Sequence, residues 1–184
     1  IAYLDFETVG PAIPVWPGMR PYDQAPVQLS VHVEKETAAP EERGGAPRHF
    51  EWLADGPDDP RAELARRLIE FIPANGSVVA YNAVFEAARI AVLEELLPDL
   101  APALAGIRAR LWDLLPVVRD HVYHPDFGGS FGLKAVLPAL VPGAGYEDLE
   151  VTGGGEASRL LMGLLFKGGD ARVNEGPIDD ASKG

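Results

Sequence analysis

The opening run Ile1-Ala2-Tyr3-Leu4-Asp5-Phe6-Glu7-Thr8 constrains the chain more than any other stretch. Apolar residues and acids alternate in it with the period of a β-strand. Successive strand side chains point to opposite faces, so Tyr3, Asp5 and Glu7 share one face while Leu4 and Phe6 take the other. Any sheet that accepts this strand must bury one face and accommodate two carboxylates on the other. Those carboxylates repel, and charge beside a core is costly unless it is paired or bound to metal. A hard divalent cation, Mg²⁺ or Mn²⁺, would resolve the conflict because such ions take carboxylate oxygens. The alternative is a strand end whose acids point into water, since an isolated Asp-x-Glu is too common to be decisive.

The chain has 184 residues, enough for one domain with a real core, and its hydrophobic content of 47% argues against global disorder. Lys and Arg number 16 against 28 Asp and Glu, a formal charge of −12. That balance excludes a high-affinity, non-specific nucleic-acid binder, which needs basic surface for phosphates. It leaves room for an enzyme that meets phosphates through metal ions. There is no cysteine, which removes disulfides, zinc–thiolate sites and thiol catalysis. No signal peptide and no apolar run of about 18 residues is visible. A cytoplasmic location without a membrane partner is therefore expected. The start inside a strand-like run, without Met, suggests a domain of a longer protein that carries further domains.

Residues 9–25 are rich in proline around Trp16, Met19 and Tyr22, which predicts an irregular loop packed over the strand end. Pro26 to Val33 alternates as a second strand with Gln28, Ser30 and His32 on one face. His32 there is either a ligand or base, or a surface residue. Arg48 to Leu53 returns as a third strand and completes an antiparallel meander. Asp59-Pro60 predicts a helix start, with Asp at the cap and Pro at the first helical position. Leu64, Leu68, Phe71 and Ile72 follow at helical spacing, and Pro73 stops the helix. Ser77 to Tyr81 reads as a short buried strand. Asn82 is expected to cap a helix running to about Leu97, with Phe85, Ala88, Val92 and Leu96 facing the core. This order implies right-handed crossovers on a mixed sheet. Leu111 to Leu115 suggests a further strand leading into a helix near 115–121. Tyr123 to Gly129 reads as loop. Ser130 is expected to cap a helix carrying Leu133, Val136, Leu137 and Leu140, closed by Pro142 and Gly143. A glycine-rich loop over 144–155 precedes an amphipathic helix at 156–166. Residues 167–184 read as a Gly- and Asp-rich loop or disordered tail. The domain is therefore drawn as 1–166.

Glu86 is the third acid of interest. In the first turn of a helix it is favoured by the macrodipole whatever its role. If the preceding strand brings that helix to the sheet edge bearing Asp5 and Glu7, three carboxylates would be placed to hold two metal ions about 4 Å apart, the arrangement of many nucleases and phosphatases. Asp113 either approaches this site or caps the helix that follows it. Ser130 and Lys134 are candidates for a phosphate, because a helix N-terminus with its cap favours anions. His121 and His124, near Asp126, lack a third partner at defined spacing and read as a polar loop. Gly153-Gly154-Gly155 lacks the strand–glycine–helix setting of a phosphate cradle.

Asp5-Phe6-Glu7-Thr8 resembles the first motif of the DEDD (DnaQ-like) 3′–5′ exonucleases, and Asn82-x-x-Phe85-Glu86 resembles their second, with Glu in place of the usual Asp. Beyond these motifs the chain resembles the DUF2779 domain, a bacterial family. The stretches that carry this are Tyr3 to Thr8, Pro21-Tyr22, Pro26 to His32, Tyr81 to Glu86 and Gly129 to Pro138. The resemblance implies an α/β fold of ribonuclease H-like architecture, an antiparallel meander extended by parallel strands and flanked by helices. It implies a two-metal nuclease using two Mg²⁺ or Mn²⁺ ions on Asp5, Glu7 and Glu86, acting on a single-stranded DNA or RNA 3′ end. Thr8, Asn82, Phe85, Ser130 and Lys134 would contact substrate. The family's last motif, Tyr-Cys-x-x-Asp-Thr, has no counterpart here. Asp170, Asp179 and Asp180 lie in the tail without a helical pattern, and either a cut before the last helix or a lost site would account for the gap. The rival expectation is a catalytically degenerate module that binds nucleic acid or a protein.

Overall fold

The computed structural model describes residues 1–34, 46–144 and 154–166. Five strands make one mixed sheet: β1 (Ala2–Val9), β2 (Ala25–Val33), β3 (Arg48–Leu53), β4 (Val78–Ala80) and β5 (Leu111–Asp113), in the order β3-β2-β1-β4-β5. β1, β2 and β3 form the expected antiparallel meander, and β4 and β5 continue it in parallel on the other side of β1. Parallel neighbours need crossovers. Helix α1 (Arg61–Phe71) precedes β4, and α2 (Val84–Leu96) with α3 (Ala101–Arg108) links β4 to β5. α4 (Leu114–His121), α5 (Leu133–Leu140) and α6 (Gly154–Leu165) complete the chain. Among the described residues, no helix is long and apolar enough to cross a membrane.

The alternation of β1 sets the layers. Leu4 and Phe6 are buried while Tyr3 and Asp5 remain exposed on the opposite face. The buried face meets Leu29 and Val31 of β2 and Leu64, Leu68, Ile90, Leu93 and Leu104 of α1, α2 and α3 in the main core. Each such side chain contributes about 1.5–3 kcal/mol relative to exposure. A smaller cluster joins Val9, Trp16 and Val27 to Leu165 of α6, and α6 packs on β1. The proline-rich loop is tied down as expected. The Trp16 indole Nε1–H donates to the Pro57 carbonyl at 2.9 Å, and buried Arg61 donates to the Pro17 carbonyl at 2.7 Å while pairing with Asp59 at 2.6 Å.

Several local expectations are corrected. α1 begins at Arg61 with Pro60 at the cap position; Asp59 still serves the helix end by accepting from the Arg61 amide at 3.1 Å. Asn82 does not cap α2. Its φ of 68° lies in the left-handed region, outside the extended geometry of a capping residue, and Ala83 occupies the cap position. The inward face of α2 carries Glu86, Ile90 and Leu93, whereas Val92 and Leu96 are exposed. A stripe anchored on Phe85 is rotated by about one residue from the true one, because the helix turns an acid inward. α3 carries Leu104 and Ile107 into the core and was not anticipated between Pro98 and Arg110. In α5 the cap position is Gly132, not Ser130, whose hydroxyl accepts from the Gly132 amide at 3.2 Å. There only Val136 is buried, while Leu133 and Leu140 are exposed. The expected tail over 167–184 and most of the expected 144–155 loop lie outside the described residues.

Candidate functional site

Asp5 and Glu7 stand opposite Ser30 and Gln28 of β2, and the register shifts between Glu7 and Thr8. A bulge of this kind bends the strand and re-aims its side chains. Glu86 reaches the same region by a different route. β4 has only three residues, and the left-handed turn at Asn82 swings the chain into α2. Asparagine tolerates that conformation better than most residues. The turn is clamped from the next strand. One carboxylate oxygen of Asp113 accepts from the Asn82 amide at 3.0 Å and from the Leu115 amide at 2.9 Å. Asp113 thus caps α4 and fixes the start of α2 together. The Tyr81 hydroxyl donates to the Phe131 carbonyl at 2.5 Å, joining the turn to the segment before α5.

The result is an acid with an unusual setting. Glu86 is only 3% exposed, and its Oε2 has no hydrogen-bond partner among the described residues. Burial pushes its carboxyl up to about 7, the charges of Asp5 and Asp113 add to that, and its own backbone amide and Arg89 oppose it. Burial likewise raises Asp5, although one side of it meets solvent, against a lowering hydrogen bond from the Phe6 backbone. Glu7 is raised by burial and then by Asp5, and Lys134 pulls it back. Carboxyls raised by burial and by one another share one field. Among the described residues, no three His, Cys, Asp or Glu side chains stand close enough together to hold a metal ion as placed. The acids meet as charges rather than as a finished ligand cage.

The other anticipated residues divide clearly. Thr8 and Phe85 line one cleft with Glu7. Asn82 is exposed and acts through its backbone. Lys134 lies within electrostatic reach of Glu7, whereas Ser130 serves its own turn. His124 accepts from the Asp126 amide at 3.3 Å and so shapes a 3₁₀ turn at Pro125–Phe127. His32 stacks on His49 with ring centroids 4.1 Å apart, and Ser30 Oγ lies 3.0 Å from His49 Nε2. The reading from sequence passed over Arg89. Its Nη1 donates to both the backbone and side-chain oxygens of Gln24, at 3.2 and 2.9 Å. Its position three residues after Glu86, on the same helical side, was the available signal.

With the geometry in place, comparison with known proteins gives one relation. The pattern of a family described as "Domain of unknown function (DUF2779)" matches residues 2–132, well over half of the chain. The chain belongs to this family. The DUF2779 region contains Asp5, Glu7, Thr8, Asn82, Phe85, Glu86, Asp113 and Ser130, while Lys134 and helices α5 and α6 follow it. No curated protein and no solved structure matches the chain.

Proposed function

We propose that this DUF2779 domain is a metal-dependent nuclease of the DEDD (DnaQ-like) 3′–5′ exonuclease type on a ribonuclease H-like fold. The observation that carries the reading is the orphaned carboxylate oxygen of Glu86, buried within the electrostatic field of Asp5. A buried polar atom without a partner calls for an explanation, and a divalent cation supplies one. The all-oxygen, all-carboxylate donor set suits Mg²⁺ or Mn²⁺. The strand order and mixed directions agree with the proposed fold, and the two acidic motifs occupy the end of β1 and the start of α2.

In this reading Asp5, Glu7 and Glu86 would hold the cations. Cations held there would supply an activated water and neutralise charge on a phosphodiester. The raised carboxyls of Asp5 and Glu7 favour ligands that bring positive charge. The bulge at Glu7–Thr8 orients the strand end towards the cleft, and Asp113 keeps Glu86 in place through the Asn82 amide. Lys134 offers charge to a phosphate near Glu7.

The test is hydrolysis of 5′-labelled single-stranded DNA and RNA with Mn²⁺. Stepwise shortening is expected. Asp5→Ala should reduce it by more than about a hundredfold, the upper range seen even for residues that support metal ligands indirectly. Mn²⁺-dependent activity that survives Asp5→Ala would sink the assignment. The second reading, a degenerate binding module, is favoured by the absence of a converged ligand set among the described residues and by the −12 charge. It predicts no hydrolysis and no Mn²⁺-dependent rise in melting temperature. The nuclease reading predicts a rise that Glu7→Ala removes, because a ligand of the native state stabilises it by mass action.

A further inference from the structure

Beside Glu7 lies a cleft of about 410 Å³, bounded by the end of β1, the loop before β2, the first turn of α2 and the start of α6. Ligand sites begin at roughly 300 Å³, so the cleft admits one nucleoside rather than a length of chain. Its walls are mixed in character. Phe85 supplies an aromatic surface, and Tyr22 stands at the rim on a backbone with φ of 65°. Bonds within the loop hold that conformation: the Tyr22 amide donates to the Pro11 carbonyl at 2.9 Å, and the Arg20 amide to Asp23 Oδ2 at 2.7 Å.

Gln24 provides the polar wall, and its orientation is determined. Arginine carries only donors, so the atom that Arg89 Nη1 meets at 2.9 Å must be the amide oxygen. The other end of the amide is therefore the nitrogen, whose two hydrogens are what Gln24 has to donate. Arg89 also lies over Phe85, 5.2 Å from the ring centroid, and its buried Nε has no hydrogen-bond partner among the described residues. One arginine thus organises both the aromatic wall and the amide, while leaving one of its own donors unsatisfied.

We infer that this cleft is a nucleobase site in which the base stacks on Phe85 and its edge accepts from the Gln24 amide. The inference rests on the nuclease reading, since the occupant would be the base at the strand end next to Glu7. It also goes further, to selectivity. A glutamine free at both ends pairs bidentately with adenine, giving to N7 and accepting from N6. Arg89 takes one of the two lone pairs of the Gln24 oxygen and holds that oxygen towards itself, so the amide hydrogens are the main offer Gln24 makes to a base. Guanine, with acceptors at N7 and O6, and pyrimidine carbonyls match that offer better than the adenine edge, which sets its amino group beside the single N7 acceptor.

Uncharged nucleosides in metal-free buffer test this directly, read by NMR shifts of the Gln24 side-chain amide and the Phe85 ring. Guanosine and uridine are expected to shift both and to bind about fivefold more tightly than adenosine, the worth of one hydrogen bond. Gln24→Leu, at an exposed position, should erase that preference and keep the stacking. Phe85→Leu, which retains apolar volume for packing, should weaken all three nucleosides by roughly tenfold. Silence of Gln24 and Phe85 towards every nucleoside, or a preference for adenosine, would overturn the inference. Asp5→Ala separates the two proposals. If that variant binds nucleosides like the parent and the parent hydrolyses nothing, the base site stands and the nuclease reading falls. If the parent hydrolyses, Asp5→Ala does not, and no nucleoside registers at Gln24, the base site falls alone.

Discussion

The sheet ends in two junctions built on the same plan and used in opposite ways. β4 and β5 are parallel three-residue strands; β5 runs directly into α4, β4 reaches α2 through the three-residue turn at Asn82, and each junction carries an acid. Asp113 closes β5 and spends its carboxylate on two backbone amides. Glu86 sits in the first turn of α2, is more deeply buried, and has an oxygen with no hydrogen-bond partner among the described residues. An acid kept for stability finds donors. An acid kept buried without them works against stability, and the proposed function gives it a cation as its partner. The satisfied acid also clamps the junction of the unsatisfied one through the Asn82 amide.

The sharpest way to break this contrast is Glu86→Gln. A carboxyl whose folded value is raised favours the native state most when protonated. Its contribution is fully present below the unfolded value near 4.5 and is lost as pH rises through about 7. That difference corresponds to about 3 kcal/mol for metal-free protein between pH 4 and pH 8. Denaturant titrations across this range should show the parent weakening with pH, and Glu86→Gln should remove most of the slope. The slope that remains should share the same sign, because Asp5 and Glu7 are also raised. Equal slopes in the two proteins would place Glu86 in water and end the comparison. At pH 8 the same variant should lose any Mn²⁺-dependent rise in melting temperature.

Asp113→Ala should act in the opposite direction. It strands two amides that now share a charged acceptor, at a cost of about 2 kcal/mol, and the loss should persist across neutral pH. Hydrolysis, where measured, should fall less than in Asp5→Ala, since Asp113 positions Glu86 without being assigned to the cations. A stability loss near zero would mean that solvent replaces the clamp.

How far the sequence reached follows from what local pattern encodes. The meander, β4, β5 and most helices were legible because alternation and helical spacing report burial directly. The face of α2 was not. Hydrophobic spacing assumes that cores collect apolar residues, and α2 buries an acid, so Phe85 was favoured over Glu86 as the inward anchor. The role of Asp113 was half legible: a cap can be read from Asp before a helix, but its bond to Asn82, 31 residues away, depends on the parallel pairing of β4 with β5. Arg61 and Arg89 escaped for the same reason. Both hold the loop before β2 to distant helices, and nothing near them in sequence signals a partner.

The smallest effect belongs to Asn82, and it tests the clamp most finely. Its left-handed backbone costs a residue with a Cβ roughly 1–2 kcal/mol, less for Asn, and nothing for Gly. Asn82→Ala should therefore destabilise by about 1 kcal/mol, and Asn82→Gly by only a few tenths, its gain in the turn being offset by a more flexible unfolded chain. Both variants keep the amide that Asp113 holds. If the clamp maintains the left-handed turn, Asn82→Ala and Asp113→Ala should be non-additive by about 0.5 kcal/mol or more in a double-mutant cycle. Additivity would mean that the turn holds itself, and that the buried position of Glu86 is owed to the packing of Ile90 and Leu93 below it rather than to its satisfied counterpart.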